Sequence, residues 1–582
     1  MPCNFAKQLS KLRKSSAEAV DNTEDFDDFK TYLHIERPVE VELKSLLREL
    51  NKTDGKRLVL LCGSAGDGKS HLISYLRHVD SEKLLSGYVP YNDATESSAP
   101  NLTSIDTLAE KLKPFNDENY TIDDGSKMIL AINLGTLNNF IESEKGKQFS
   151  VLKKYVEANG IFDGFTWQRP YKENSVFHHI SFSDYQVFTL REDGVGTEYL
   201  EKLLDKVFDQ SNENPFYESY QKNAECTMCQ RCPVRHNYEF LFDSKNRKAI
   251  INKIVEIVVK DKAIVSTREI LNFLYDVIVH PKFSYTGLCQ SVANNVGYLT
   301  DYIMYTTPML LYEYSGITTV IDHIQKHDYL KDRKADMDVA ATRFHSLDNI
   351  QEAFLDAAQG TPYMTLNQIT DISVLGGIKP ELKKQVYRFI VRLKEIKGDY
   401  PVGEKQKQFG EYIQYLYYQN SGNEKKLSKL YDATKKAIMN WDGQFDNDYI
   451  CIDDSNERYW VLEQLLLKSA IHKRTPSEES DLLRFATTLK LRFKGANSPD
   501  DCVADISIDY ALFEMICAMR EGYRPTVQDK NRHTDFVSFV QQLIEFGNKA
   551  TRITLIPKDN DKNCRITFEE TDFGYEFKVV RL

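Results

Sequence analysis

Proline and glycine are sparse, 17 and 27 of 582 residues, and tryptophan is sparser still at 3. That excludes collagen-like and low-complexity chains. Long apolar runs are also missing, since charge interrupts each one well short of the roughly 20 residues that span a bilayer. The first residues, Met1-Pro2-Cys3-Asn4-Phe5-Ala6-Lys7-Gln8, lack the apolar centre of a secretion signal. A cytoplasmic protein without membrane attachment is therefore expected. The 10 cysteines are few for such a long chain, which argues against a secreted disulfide framework and for reduced thiols apart from any metal ligands. An excess of positive charge is absent too: 75 Lys and Arg face 86 Asp and Glu, a net charge of −11. Coating nucleic acid relies on clustered cations, so only a local basic face remains open for that role.

What is present is the composition of a folded protein, 41% hydrophobic and 28% charged, long enough for about three to five structural units. No internal repeat is visible. Residues 1–56 read as a helical lead-in, with Lys7, Lys11 and Lys14 at helical spacing and an apolar pattern through 39–47. Over 57–225 short β-like runs at 57–62, 87–91, 127–133 and 177–183 alternate with helical ones. This order implies a mainly parallel sheet with helices on both faces. Residues 226–300 hold a cysteine cluster and lid-like helices, 301–500 a helical region with helix expected to about 485, and 501–582 a small α+β part. In that last part, 535–546 reads as helix and 551–557, 564–569 and 575–580 as strands.

The most specific motif is Gly63-Ser64-Ala65-Gly66-Asp67-Gly68-Lys69-Ser70. It follows the apolar strand 58–62 and precedes the helical stretch that begins at His71, which is the context a G-x-x-x-x-G-K-S phosphate loop requires. Glycines let backbone N–H groups approach anionic oxygen at a helix N-terminus. Lys69 is expected to reach the β- and γ-phosphates of ATP, and the Ser70 hydroxyl to ligate Mg²⁺. The fold class expected is an α/β P-loop NTPase, AAA+-like, followed by a large, mostly helical region and a small α+β part.

Hydrolysis also needs an acid near the metal and a group that orients water. The strand at 127–133 ends in Asn133, which fits a sensor asparagine or a polar turn better than a Walker B acid. Asp93 and Glu96 are then the leading candidates for the acid, with Asp184 weaker. Arg268, opening a helix, is a candidate lid arginine or else a solvated helix-start residue. Elsewhere, Cys226, Cys229 and Cys232, followed by Pro233, place soft ligands within one short segment. His236 or Cys289 would complete a zinc site; an iron–sulfur cluster ranks behind zinc, and free thiols are the alternative. Lys384, Arg388 and Arg392 line one helix face, suited to DNA phosphates, an acidic partner or solvent. Asp572 with Glu576-x-Lys578 falls short of a nuclease arrangement.

The ordered motifs Tyr32-Leu33-His34-Ile35-Glu36-Arg37-Pro38, Leu61 through Leu72, Asn92-Asp93-Ala94-Thr95-Glu96-Ser97, Ile129 through Gly135, Cys226 through Asn237 and Thr267 through Phe273 resemble the DNA phosphorothioation-dependent restriction protein DptF family. Asp509-Tyr510 and Glu521-Gly522-Tyr523 are similar as well. The resemblance implies a part in bacterial defence, alongside DptG-like and DptH-like subunits, against DNA that lacks a phosphorothioate backbone. DNA would be met directly or through that complex. Within this frame the chain is either an ATP-hydrolysing subunit or a non-catalytic nucleotide-binding scaffold.

Overall fold

The computed structural model describes residues 3–18, 28–64, 66–92, 103–162, 175–224, 226, 228–295, 299–331, 335–347, 350–364, 380–400, 403–441, 449–453, 455–470, 481–495, 502–546, 552–558 and 564–581. The chain divides into two units: Met1–Phe188 with Thr197–Pro401, and Thr189–Gly196 with Val402–Leu582.

The first unit is organised around four parallel strands, β1 (Arg57–Cys62), β2 (Val89–Tyr91), β3 (Lys127–Ile132) and β4 (Phe177–Ser181), in the order β2-β3-β1-β4. Strand β1 is apolar at every position from Leu58 to Cys62 because both of its faces are covered. Val59 and Leu61 belong to one core layer with Leu43, Leu47, Leu72 and Leu76, supplied by the helices Pro38–Leu50 and Lys69–His78. Leu58, Leu60 and Cys62 face the other layer with Leu137, Phe140 and Leu152, supplied by the helices Leu134–Glu142 and Ser150–Ala158. Each such buried Leu or Val stabilises the unit by roughly 1.5–3 kcal/mol relative to exposure.

Strand ends differ from expectation for local reasons. The strand expected at 87–91 starts only at Val89, because Gly87 takes a left-handed φ of 86°. The run expected to 133 stops at Ile132, where Asn133 leaves the sheet to cap the next helix. The run expected to 183 stops at Ser181, before a 3₁₀ turn over Phe182–Asp184. The lead-in is helical at Asn4–Glu18, Asp28–Leu33 and Pro38–Leu50. From Glu198 to Lys397 the regular structure of this unit is helical among the described residues. None of the helices described is long and apolar enough to cross a membrane.

The basic face expected on Pro380–Lys397 is not an open one. Arg392 is 1% exposed and paired with Asp328 at 2.6 Å and Glu313 at 2.5 Å. Arg388 shares Glu313 at 3.2 Å, so of the three cations only Lys384 is left exposed on the surface. Helical spacing identified the cations but not the two acids, which arrive from elsewhere in the chain.

The second unit contains the helices Glu404–Asn420, Ser428–Met439 and Tyr510–Arg520 with antiparallel sheet. In chain order its strands are β5 (Tyr185–Arg191, shared with the first unit), β6 (Gly194–Gly196), β7 (Tyr449–Asp453), β8 (Tyr459–Gln464), β9 (Leu467–Ser469), β10 (Leu482–Arg484), β11 (Leu489–Gly495), β12 (Val503–Ile508), β13 (Arg552–Pro557), β14 (Cys564–Thr571) and β15 (Gly574–Arg581). They form the sets β15-β14-β13-β8-β7, β12-β11-β9 and β10-β5-β6. Helix expected to about 485 thus gives way to strand at Tyr449. The reason is non-local: β8 pairs with β13, from Tyr459 with Pro557 to Glu463 with Ile553, and no local window shows that partner. Asp572 lies in the β14–β15 turn, and Glu576 stands opposite Glu569 on an exposed hairpin.

Replacing Leu60, wholly buried at the centre of the sheet, by Ala is expected to cost about 2–5 kcal/mol, measured by urea denaturation. Replacing Phe573, which is wholly exposed, by Ala should leave the denaturation midpoint unchanged.

Candidate phosphate-binding site and cysteine pocket

Parallel register aligns Cys62 at the end of β1 with Ile132 of β3 and Ser181 of β4. Gly63, Asn133 and Phe182 therefore leave the sheet at one level on its carboxyl edge, where ligands of open α/β sheets gather. Gly66 and Gly68 have φ of 88° and 97°, left-handed values that cost glycine nothing. Gly66 also lacks room for a side chain: a Cβ would lie 3.0 Å from Ser266 Oγ and 3.2 Å from Arg268 Cβ. Gly68 is the N-cap of the Lys69–His78 helix and supplies no side-chain cap. Gly68 has no side chain, so the positive end of the helix carries no N-cap side chain.

The loop holds itself together through its own polar groups. Lys69 Nζ donates to the carbonyl oxygens of Gly63 at 2.9 Å and Ser64 at 2.6 Å. The Ser64 N–H donates to the Asp67 carboxylate at 2.5 Å, and burial pushes that carboxyl above its usual range against the pull of Lys69. Arg37, just ahead of the Pro38–Leu50 helix, donates to the Asp67 carbonyl at 3.0 Å and lies over the Phe182 ring. Ser70 is half-buried in the first helical turn. Ala65 lies outside the described residues.

Next to Ser70, His71 Nε2 meets His34 Nδ1 at 3.1 Å, and the His34 ring stacks on Tyr75 with centroids 3.6 Å apart. Glu40, 2% exposed, pairs with His34 at 3.3 Å and Lys44 at 2.7 Å. Burial, with His34 adding to it, pulls His71 down to about 4. The segment before β1 is therefore packed onto the helix that follows the loop.

Arg268 is brought against Gly66 and is half-buried, with its Nε buried and lacking a hydrogen-bond partner among the described residues. Its helix is opened by a capping box between Ser266 and Glu269. Asn133 accepts the Thr136 N–H at 2.6 Å as an N-cap, so its side chain is engaged in holding its own helix. Asp184 is buried. Burial pushes the Cys62 thiol up to about 12, Lys69 opposing and Asp184 adding to the shift, which places both charges near the end of β1. Asp93 and Glu96 lie outside the described residues. Motif spacing missed Arg37 and Ser266 as neighbours of the loop, because each reaches it through tertiary packing. Together these groups suit a polyanion: oriented N–H groups, a lysine exchangeable from carbonyls to phosphate, and an arginine with an unpaired donor.

The cysteines form a second centre. Cys226, Cys229, Cys232 and Cys289 line one cavity with Cys3, Phe5, Leu288 and Val292. The Sγ atoms of Cys226 and Cys289 are 3.6 Å apart, and all five thiols are free. Cys229 turns its thiol towards the carbonyl oxygen of Asn223 at 3.2 Å. Among the described residues, no three His, Cys, Asp or Glu side chains stand as a ready-made metal-ligand set. His236, one of the two expected fourth ligands, does not line this cavity; it is buried and hydrogen-bonded to the Tyr302 hydroxyl. No protein-family model matches the chain, and no curated protein matches it.

The lowered pKa of His71 has a stability consequence. The unfolded imidazole takes up a proton below about 6.5, whereas the folded one resists to about 4. Stability contributed by neutral His71 is therefore present above pH 6.5 and lost as pH falls through that window, by up to about 2 kcal/mol at pH 5. Denaturation between pH 7 and 5 should show a shallower pH slope for His71→Gln than for the unsubstituted chain. Equal slopes would contradict the burial assigned to His71.

Proposed function

We propose that the chain binds ATP with Mg²⁺ at the Gly63–Ser70 loop. The observation that carries this is the conjunction of two left-handed glycines, a helix N-terminus without a side-chain cap, and Lys69 held within the loop. The backbone N–H groups and Lys69 hold the phosphates, Ser70 supplies a hydroxyl to Mg²⁺, and Arg268 adds positive charge over Gly66. Bound Mg²⁺ would neutralise phosphate charge and polarise the terminal phosphoryl group. Lys69 exchanges two neutral carbonyl acceptors for charged oxygens, which strengthens its hydrogen bonds. Asp67 must release the Ser64 N–H for that donor to join the phosphate cradle.

The finer proposal rests on the ordered motifs: an ATP-binding, ATP-hydrolysing AAA+-like P-loop subunit of a phosphorothioation-dependent restriction complex, acting with DptG-like and DptH-like subunits on unmodified DNA. Asp93, Glu96 and Asp184 are the acids proposed to complete hydrolysis. A second reading, nucleotide as the structural signal of a non-catalytic scaffold, is favoured by one observation: Asn133, in the place of a Walker B acid, is engaged as a helix cap.

Lys69→Ala is expected to weaken ATP binding at least about tenfold by calorimetry, with an unchanged circular-dichroism spectrum, and to abolish restriction in a host carrying the system. Unchanged affinity would remove the site. Phosphate release by the unsubstituted chain with DNA and partner subunits separates the two readings: sustained turnover marks the ATPase, and its absence alongside tight ATP binding marks the scaffold.

A further inference from the structure

We propose that Cys226, Cys229, Cys232 and Cys289 bind one zinc ion, so that a thiolate site ties the 226–232 segment to the helix Leu288–Asn295. Four observations carry it. The sulfur atoms come from positions far apart in the chain, Cys226 and Cys289 being 63 residues apart, yet border one cavity. Their 3.6 Å separation is close to the edge of a tetrahedron of thiolates, about 3.8 Å when each Zn–S bond is about 2.3 Å. The cavity is small, about 10 Å³, the scale of a single small occupant. Finally, Phe5, Leu288 and Val292 make the walls apolar, and Arg235 Nη1 lies 3.9 Å from Cys229 Sγ. A cation at that place offsets the charge of a four-thiolate centre.

Cys229 must rotate from the Asn223 carbonyl to join the set, a side-chain movement within the cavity it already lines. Binding is a ligand exchange and not a redox step: four S–H protons leave to solvent as four Zn–S bonds form, and zinc stays divalent. His236 takes no part, being held by Tyr302. A tie of this kind joins segments that the peptide connects only through the long helix Ser244–Lys260 and its neighbours. It also walls in Cys3, whose backbone N–H donates to the Tyr285 carbonyl at 2.9 Å.

The test is elemental analysis of the full chain, purified anaerobically without chelator, for zinc, iron and acid-labile sulfide. About one zinc per chain is expected, falling below about a fifth in Cys289→Ser and Cys226→Ser and retained in His236→Gln, with fold checked by circular dichroism. Iron with labile sulfide, zinc below about half an equivalent, full zinc in Cys289→Ser, or zinc lost from folded His236→Gln would each overturn the proposal. Should the cysteine variants not fold, cobalt substitution of the unsubstituted chain decides. Sulfur-to-cobalt charge transfer with strong tetrahedral d–d bands is expected, and their absence overturns the site.

Discussion

Strand β1 is packed on both faces, with Val59 and Leu61 in one layer and Leu58, Leu60 and Cys62 in the other, and this two-sided burial determines where the chain must turn. A strand with no solvated face cannot slip by one residue without exchanging the two sets of side chains, so its register against β3 and β4 is tightly specified. Gly63 then emerges level with Asn133 and Phe182, and the helix from Lys69 returns onto the sheet through Leu72 and Leu76. The loop is what connects a strand and a helix whose positions are both set by packing.

Within that frame the loop is held by interactions that a ligand can replace. Lys69 is engaged by Gly63 and Ser64 carbonyls, and Ser64 N–H by Asp67. Two positive residues touch this arrangement, Arg37 at the Asp67 carbonyl and Arg268 at Gly66. Neutral carbonyls are weaker partners for an ammonium group than charged oxygen, which is the physical basis of the proposed phosphate binding. Arg268 comes from the helical part that follows the sheet, so that part packs directly against the loop at Gly66.

The central strands were legible because their apolar runs are bounded by local turn chemistry, and the loop because its glycines and lysine fall within one short motif. Strand ends were harder: whether Asn133 extends β3 or caps a helix depends on the Thr136 amide. The strands between Tyr449 and Ile508 were not legible, since β8 is stabilised by β13 from the far end of the chain, whereas β13, β14 and β15 fall where 551–557, 564–569 and 575–580 read as strands. Arg392 shows the same limit from the side of charge. Its spacing with Lys384 and Arg388 describes one helix face, but Asp328 and Glu313 decide that it is buried. For the cysteines, proximity in sequence marked the segment, whereas only the folded chain shows that Cys289, and not His236, lines the same cavity.

The claim on which the functional account turns is that phosphate oxygen occupies the cradle between β1 and its following helix. Hydrogen–deuterium exchange of the unsubstituted chain, with and without Mg²⁺ and a slowly hydrolysed ATP analogue, tests it at the amides themselves. The account predicts slowed exchange concentrated over residues 63–72, with a smaller effect where Arg268 meets Gly66. Saturating nucleotide that leaves residues 63–72 unchanged, or protects a different part of the chain, would contradict it.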